Sequence, residues 1–297
     1  MIRRLKYHEI DFEKYTNCIE NSEQRKYSAT RGFLDITAGK QWEILVYNDY
    51  EAVMPIPFVK KIGFKLVINP KLCQQLGVFS KKDDVTQNEL FLTYIKKNYK
   101  VWYYAFNDGN SFSSPLKKRN NFLIYPDQYE NVRQRYSPKR KRKLRLDADV
   151  IDVSEIRKMK ISDAHSFISK NMIGAKNEND KKEFLKIFKA LGDSGALTVY
   201  AFMYQSRIIN AIAVYDDEKT SVLLGTFNER EYVKLAGSSV IIDAAIQENI
   251  EKKIFDFEGS EVPAIEEFFR GFRPELKPYC VVENSKKEII RNLFSLR

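Results

Sequence analysis

The apolar positions of this chain change period several times along its length. Phe12, Tyr15 and Ile19 recur at helical spacing and predict a helix behind a short first strand. Residues 33–38 predict a second, shorter helix. From Trp42 the pattern becomes that of strands: residues 42–47, a turn at Asn48-Asp49-Tyr50, and a return strand over 52–59. Pro55 and Pro57 take two N–H donors from the same edge of that return strand, so the edge cannot be fully paired. Residues 66–68 and 72–79 predict further strands. Residues 86–98 predict a helix with Leu90, Phe91, Tyr94 and Ile95 on its apolar side, and 101–106 another strand.

The second half repeats this order. Strands are expected over 197–204 and 208–215 around a turn at Gln205-Ser206-Arg207, with a third over 221–227. A helix over 238–250 and a strand over 254–257 follow. Each half is thus a hairpin, one or two more strands, a helix and a strand, which suggests two related modules. The stretch 107–135, with Gly109, Asn110, Ser111, Ser113, Ser114 and Pro115, is the expected loop and boundary region. The expected organisation is α/β (α+β), with an N-terminal module over 1–126 and a C-terminal one over 127–297.

Composition adds a sign to this picture. The 297 residues are 43% hydrophobic and 30% charged, as expected of a soluble globular chain, with a formal net charge of +10. An excess of cations suits an anionic partner such as a nucleic acid, a phosphorylated cofactor or a membrane surface; it equally suits a lysine-rich solvated surface. The cysteines, Cys18, Cys73 and Cys280, are odd in number and far apart, and the histidines are His8 and His165. Neither a metal site nor a Ser-His-Asp arrangement is expected from them. The N-terminus is basic without an apolar run behind it, and no segment approaches the ~20 apolar residues of a membrane span. A cytoplasmic location is the expectation.

Four stretches carry candidate chemistry. Residues 133–145 hold a dense run of cations without an acid, and Ser137-Pro138 fits the cap and first turn of a helix. Its Arg140, Arg142 and Lys143 are candidate phosphate or RNA contacts, unless this is a solvated linking helix. Next, Lys234-Leu-Ala-Gly237-Ser238-Ser239 opens an apolar helix; free N–H groups there can hold a pyrophosphate, with Ser238 or Ser239 as alternative caps. Gly225 on the strand before it marks a possible bulge where a ligand approaches the backbone. Third, Asp256 and Glu258 alternate with Phe255 and Phe257, so the acids share the face away from the core and Glu258 can take a proton from an attacking amine. Solvated acids, or acids paired with the basic run, are the other reading. Finally, Gln74 and Gln75 beside the core residue Cys73 are candidate substrate contacts.

The order of elements around the glycine turn resembles the GNAT N-acyltransferase superfamily. Its Gln/Arg-x-x-Gly-x-Gly/Ala turn, which binds the pyrophosphate of acyl-CoA, is here Lys234-x-x-Gly237-x-Ser239. The whole chain resembles FemAB-like transferases, built of two such modules. The basic run from Ser137, the strand Phe255-Asp-Phe-Glu-Gly-Ser260 and the element Phe268-Phe-Arg-Gly271-Phe272 carry that resemblance over about 130–284, and the first half carries it by pattern alone. Glu267 stands where many single-domain GNATs have a tyrosine acid, and the long coiled-coil insertion of some Fem proteins is missing.

The resemblance implies transfer of an acyl or aminoacyl group from a phosphate-bearing donor, acetyl-CoA or another acyl-CoA, to an amine, at a cleft near the meeting of the modules. The donor's phosphates would lie at Lys234, Gly237, Ser238 and Ser239, helped by Arg140 or Arg142. The acceptor would approach near Trp42, Gln74 and Gln75, with N–H groups beside Gly225 polarising the carbonyl and no metal involved. Three alternatives stay open: an aminoacyl-tRNA-dependent enzyme acting on bacterial cell-wall precursors, a GNAT-fold protein that only binds a ligand, and an RNA- or DNA-binding module.

Overall fold

The computed structural model describes residues 1–61, 63–285 and 287–289. The chain divides into two compact units: Met1–Asn120 joined by the chain from Pro278 onward, and Asn121–Lys277. Each is a mixed, mostly antiparallel sheet flanked by helices.

The first unit opens with β1 (Ile2–Leu5), α1 (Phe12–Glu20) and α2 (Arg31–Ala38). Tyr15 and Ile19 are buried as the helical stripe requires. The hairpin of β2 (Trp42–Tyr47) and β3 (Ala52–Lys61) follows, in a register that sets Trp42 opposite Pro57 and Ile44 opposite Pro55. On its other side β3 pairs first with β5 (Phe79–Ser80), through Ala52 and Val53, and then with β4 (Phe64–Ile68), from Phe58 on. The prolines occupy the gap between those two partners, and Tyr104 Oη donates to the Pro55 carbonyl at 2.9 Å. The helix α3 (Val85–Asn98) leads to β6 (Lys100–Ala105), which runs parallel to β4.

Two expectations fail in this unit. Residues 71–78 form an irregular segment, not a strand. Leu72 and Gly77 take positive φ, and side chains hold the backbone: Asn110 Oδ1 accepts from Val78, and Asn69 Nδ2 donates to the carbonyls of Cys73 and Gln74. The apolar residues there are buried for packing, and burial alone does not specify a strand. On α3 the buried residues are Asn88, Phe91, Leu92 and Ile95, whereas Leu90 is exposed.

The second unit begins inside the stretch expected to be loop, which holds β7 (Lys117–Ile124) and α4 (Tyr129–Arg135). The basic helix α5 (Pro138–Lys143), α6 (Ala148–Ile151), β8 (Ser154–Met159), α7 (Ile161–Asn171) and α8 (Glu178–Asp193) come next. β9 (Leu197–Tyr204) and β10 (Arg207–Asp216) form a hairpin whose turn residues, Gln205 and Ser206, both have positive φ, the twist a tight hairpin needs. β11 (Thr220–Asn228), α9 (Gly237–Asn249), β12 (Ile254–Asp256) and α10 (Pro263–Arg270) complete it. The sheet order is β7-β12-β11-β10-β9-β8.

Gly225 lies at the expected bulge, where the β10–β11 register slips after Ala213. The parallel pair β11–β12 holds only from Thr220 to Val222; β11 then runs on to Asn228 without it. α9 buries Ile241, Ile242, Ala245 and Ile246 in a core shared with Phe202, Ile212 and Phe257. The last strand, β13 (Glu275–Glu283), places Val281–Glu283 antiparallel to β6 of the first unit.

Candidate functional site

A cavity of about 770 Å³ lies within the second unit, where β11 ends and α9 begins. Thr226 and Asn228 reach it from β11, and Ala236, Ser238 and Ser239 from the start of α9. α5 contributes Ser137, Lys139, Arg140 and Lys143; α10 and the turn after it contribute Ile265, Glu267, Phe268, Arg270 and Arg273. The charges on its wall are five cations and the carboxylate of Glu267. Lys139 pairs with Glu267 at 3.1 Å, and Arg270 with Glu266 at 2.6 Å. Lys143 and Arg273 have no carboxylate within ion-pair distance among the described residues. An anion entering here meets a surplus of positive charge.

Arg140 is the centre of that wall. Ser137 caps α5 by accepting from the Arg140 N–H, and Pro138 sets the first turn, which turns Arg140 inward. Its guanidinium is stacked on Phe268 at 4.1 Å and Phe272 at 4.2 Å, donates to the Phe268 carbonyl at 2.8 Å, and donates to Ser239 Oγ. A Cβ on Gly271 would stand 3.1 Å from Nε and Nη2, so the glycine lets the chain close over the guanidinium. The segment Phe268-Phe-Arg-Gly-Phe272 is therefore a slot for Arg140. Every acceptor in it is neutral, Nε finds none, and only 7% of the residue is exposed. Burial lowers its pKa to about 10, although Tyr136 and Asp243 favour the cation. A buried guanidinium at the positive end of a helix is an unfavourable placement that an anion would relieve.

The start of α9 is open to such a ligand. Its cap residue, Ala236, is in the left-handed region and has no side-chain acceptor for the first-turn N–H groups. The expected serine cap is not formed. Ser238 and Ser239 lie inside the first turn, and their hydroxyls engage Asn228 and Arg140 instead. Asn210 Nδ2 ties Asn228 and Ser238 together at 2.9 and 3.2 Å. Gly237 is required because a Cβ would fall 2.1 Å from Asn210 Oδ1 and 2.7 Å from the Phe202 ring. The corresponding helix of the first unit, α3, is closed: Asp84 accepts from the Gln87 N–H at 2.8 Å, and Asp83 accepts from Ser111 and Asn88.

The residues singled out from the sequence are dispersed relative to this cavity. Ser238, Ser239, Arg140 and Lys143 are on its wall. Gly237 packs behind it, while Lys234 and Arg142 are exposed and off the wall. Beside Gly225 the space a side chain would take is filled by Phe227 and Phe188 rings. Asp256 does not share a solvent-facing side with Glu258. It is buried, and its Oδ1 accepts the Glu258 N–H at 2.8 Å, which holds Glu258 at a φ of 59°. Glu258 thus sits half-buried on the loop after β12, at the carboxyl end of the parallel pair, and is not on the cavity wall.

Trp42, Gln74 and Gln75 belong to the first unit. Trp42 is a core residue packed on Tyr7, Phe12 and Tyr15, with Nε1 donating to Asp35 at 3.0 Å. Gln75 is buried and bonded to Gln74 and to the Asp108 N–H. Asn228, Arg273 and Ile265 escaped the sequence reading because nothing local marks them. Asp243 carried a signal, as the lone acid in the apolar run of α9. Among the described residues no cluster of metal-ligating side chains exists, and no helix is long and apolar enough to cross a membrane.

No protein-family model and no curated protein matches this chain. Solved structures do. FemX superposes with a TM-score of 0.65 at 10% identity, over 93% of this chain and 96% of that one. A tandem GNAT protein from the clavulanic acid biosynthesis pathway gives 0.53 at 8% identity, over 95% and 97%. A conserved protein of unknown function from Bacteroides thetaiotaomicron gives 0.52 at 9%, over 96% and 100%. The fold is therefore the FemAB-like, tandem GNAT fold, as the sequence motifs implied.

Proposed function

We propose that the chain is a transferase that moves an acyl or aminoacyl group from a phosphate-bearing donor to an amine, with the donor's phosphates held in the cavity of the second unit. The observation that carries this reading is Arg140: a buried guanidinium whose hydrogen-bond acceptors are all neutral, at the start of α9, which has no side-chain cap. Ser239 replaces the last small residue of the GNAT turn and brings Arg140 to the helix start. The residues present thus suit a pyrophosphate, and acyl-CoA is the donor proposed. Such a donor would supply an activated thioester. Ser238, Ser239, Arg140, Lys143 and Arg273 would bind and orient it, and Glu258 would accept the amine proton. The first unit, with the matching helix already capped by Asp84, would serve the acceptor side.

Calorimetric titration with acetyl-CoA tests the reading. Saturable binding is expected, weakened about tenfold or more in Arg140→Met, where charge-assisted bonds are lost but volume is kept. Gly237→Asp should abolish it. With the amine the wild type acylates, Glu258→Gln should lower kcat by about 10²–10⁴-fold; an unchanged kcat removes Glu258 from the mechanism.

A second reading, with aminoacyl-tRNA as donor, is favoured by the outer side of the basic segment. There Arg133, Lys141 and Arg145 line a separate hollow and Arg142 is exposed. Its mark is tRNA binding whose log affinity falls by roughly 0.7–0.9 per phosphate contact for each tenfold rise in salt. The binding should be lost in Arg142→Ala/Arg145→Ala, which leaves the cavity wall intact, with no response to acetyl-CoA. Both readings are consistent with the resemblance of the fold to FemX and to a tandem GNAT protein.

A further inference from the structure

One buried acid of the second unit has no part in the chemistry described above. Asp243 lies one helical turn beyond Ser239 on the buried side of α9, so it follows directly behind the residue that receives Arg140. Its Oδ2 accepts from Tyr129 Oη at 2.9 Å. Tyr136 Oη lies in the same cluster and also favours the carboxylate. The groups that face Asp243 are Tyr129 and Arg133 from α4, Tyr136 from the turn after it, and Arg140 from α5. A buried cation on the cavity wall and a buried acid one turn behind the serine that receives it are therefore neighbours.

Resting on the anion-site reading above, we propose that Asp243 is a positioning residue that sets the charge Arg140 presents to the cavity. Asp243 supplies the counter-charge of the empty site and competes with the ligand's phosphate for Arg140. The slot of Phe268, Gly271 and Phe272 places the guanidinium sterically, so Asp243 acts on its charge and not on its location. Burial holds the Asp243 carboxyl above the usual carboxylate range, against the opposing pull of Tyr129, Tyr136, Arg133 and Arg140. The direction of the effect follows. When Asp243 is protonated, Arg140 faces the ligand alone; when it ionises, part of that field is cancelled. Affinity for a phosphate ligand then falls as pH rises through the Asp243 titration.

Two measurements on the full chain test this. The first is titration with inorganic pyrophosphate and with CoA from about pH 4, the ordinary range of an Asp carboxyl, up to the highest pH at which the chain stays folded, on wild type and Asp243→Asn. The ratio of the two affinities cancels the probe's own ionisation. The variant should match the wild type at the acid end and bind several-fold more tightly at the alkaline end, above the Asp243 titration. Tyr129→Phe, which removes a bond favouring the carboxylate, should shift the midpoint upward. A ratio that does not change with pH overturns the proposal.

The second is a thermal-unfolding cycle of Arg140→Met, Asp243→Asn and the double variant, with no ligand present. Non-additivity is expected, Asp243→Asn recovering much of what Arg140→Met loses, because an acid without its cation is costly. Additive shifts overturn the coupling. A non-additive cycle with no binding of either probe by any variant overturns instead the anion-site reading and Asp243's competition with a ligand.

Discussion

Arg140 shows how far one side chain's meaning depends on its surroundings. In the sequence it is one of several adjacent cations, and on helical spacing Lys139, Arg142 and Lys143 share a face that excludes it. In the fold it alone of the basic helix is buried, stacked on two phenylalanines and bonded to Ser239. Such stacking contributes about 0.5–2 kcal/mol and favours a cation over any neutral replacement. Gly237 illustrates a purely steric demand. A methyl group there meets an amide oxygen at 2.1 Å and a ring at 2.7 Å, neither the end of a flexible chain. Gly237→Ala should cost about 1–3 kcal/mol, the usual penalty of overpacking, read from denaturant midpoints at unchanged m-value.

The start of α9 makes a different point about helices. Several helices are closed at their start by a side chain, as α3 is by Asp84 and α5 by Ser137. α9 begins instead at Ala236 in the left-handed region, at a φ of 59°. An alanine there is strained by roughly 1–2 kcal/mol, and glycine would not be. Ala236→Gly should therefore raise stability by a few tenths to about 1 kcal/mol, the greater freedom of glycine in the unfolded chain offsetting part of the relief. Its thermal midpoint should rise; a fall would mean that the alanine methyl packs on the cavity wall in a way that outweighs the strain. Strand β11 combines two irregularities near the same place, a bulge at Gly225 and the early end of its pairing with β12. Thr226 and Asn228, still paired with β10 but beyond the reach of β12, extend to the cavity.

The course of the chain ties the two units to each other's sequence. The first unit's sheet receives β13 from the far end of the chain, through Val281, Val282 and Glu283 against Tyr103–Ala105. Tyr279, Val281 and Val282 are buried there. Each such apolar side chain contributes about 1.5–3 kcal/mol on burial. A chain ended after Lys277 should lose most of the first unit's stability, seen as early collapse of its hydrogen-exchange protection. The protection of α9 and β10 in Asn121–Lys277 should persist. Loss of protection in both units at once would show that they unfold cooperatively.

Periodicity and turn chemistry in the sequence determined most elements of the first half and the run from β9 to β12 in the second, whereas β7, α4, α6, β8, α7 and α8 were not marked. The hairpin 197–215, the helix from 238 and the strand from 254 all appear within two residues of their expected bounds, because each is a local pattern. The glycine turn, the phenylalanine–glycine element and the basic run were legible as motifs, and with them the tandem GNAT-like fold. What the tertiary structure decided is which of these motifs meet. Only folding sets residue 140 against residues 239, 268 and 271, buries Asp256 as a backbone anchor, and takes Trp42 and Gln75 into a core. Likewise the strand expected at 72–79 gave way to side chains that claim its backbone. These outcomes depend on partners far apart in sequence, on desolvation and on close approach, none of which a local pattern of apolar and polar residues encodes.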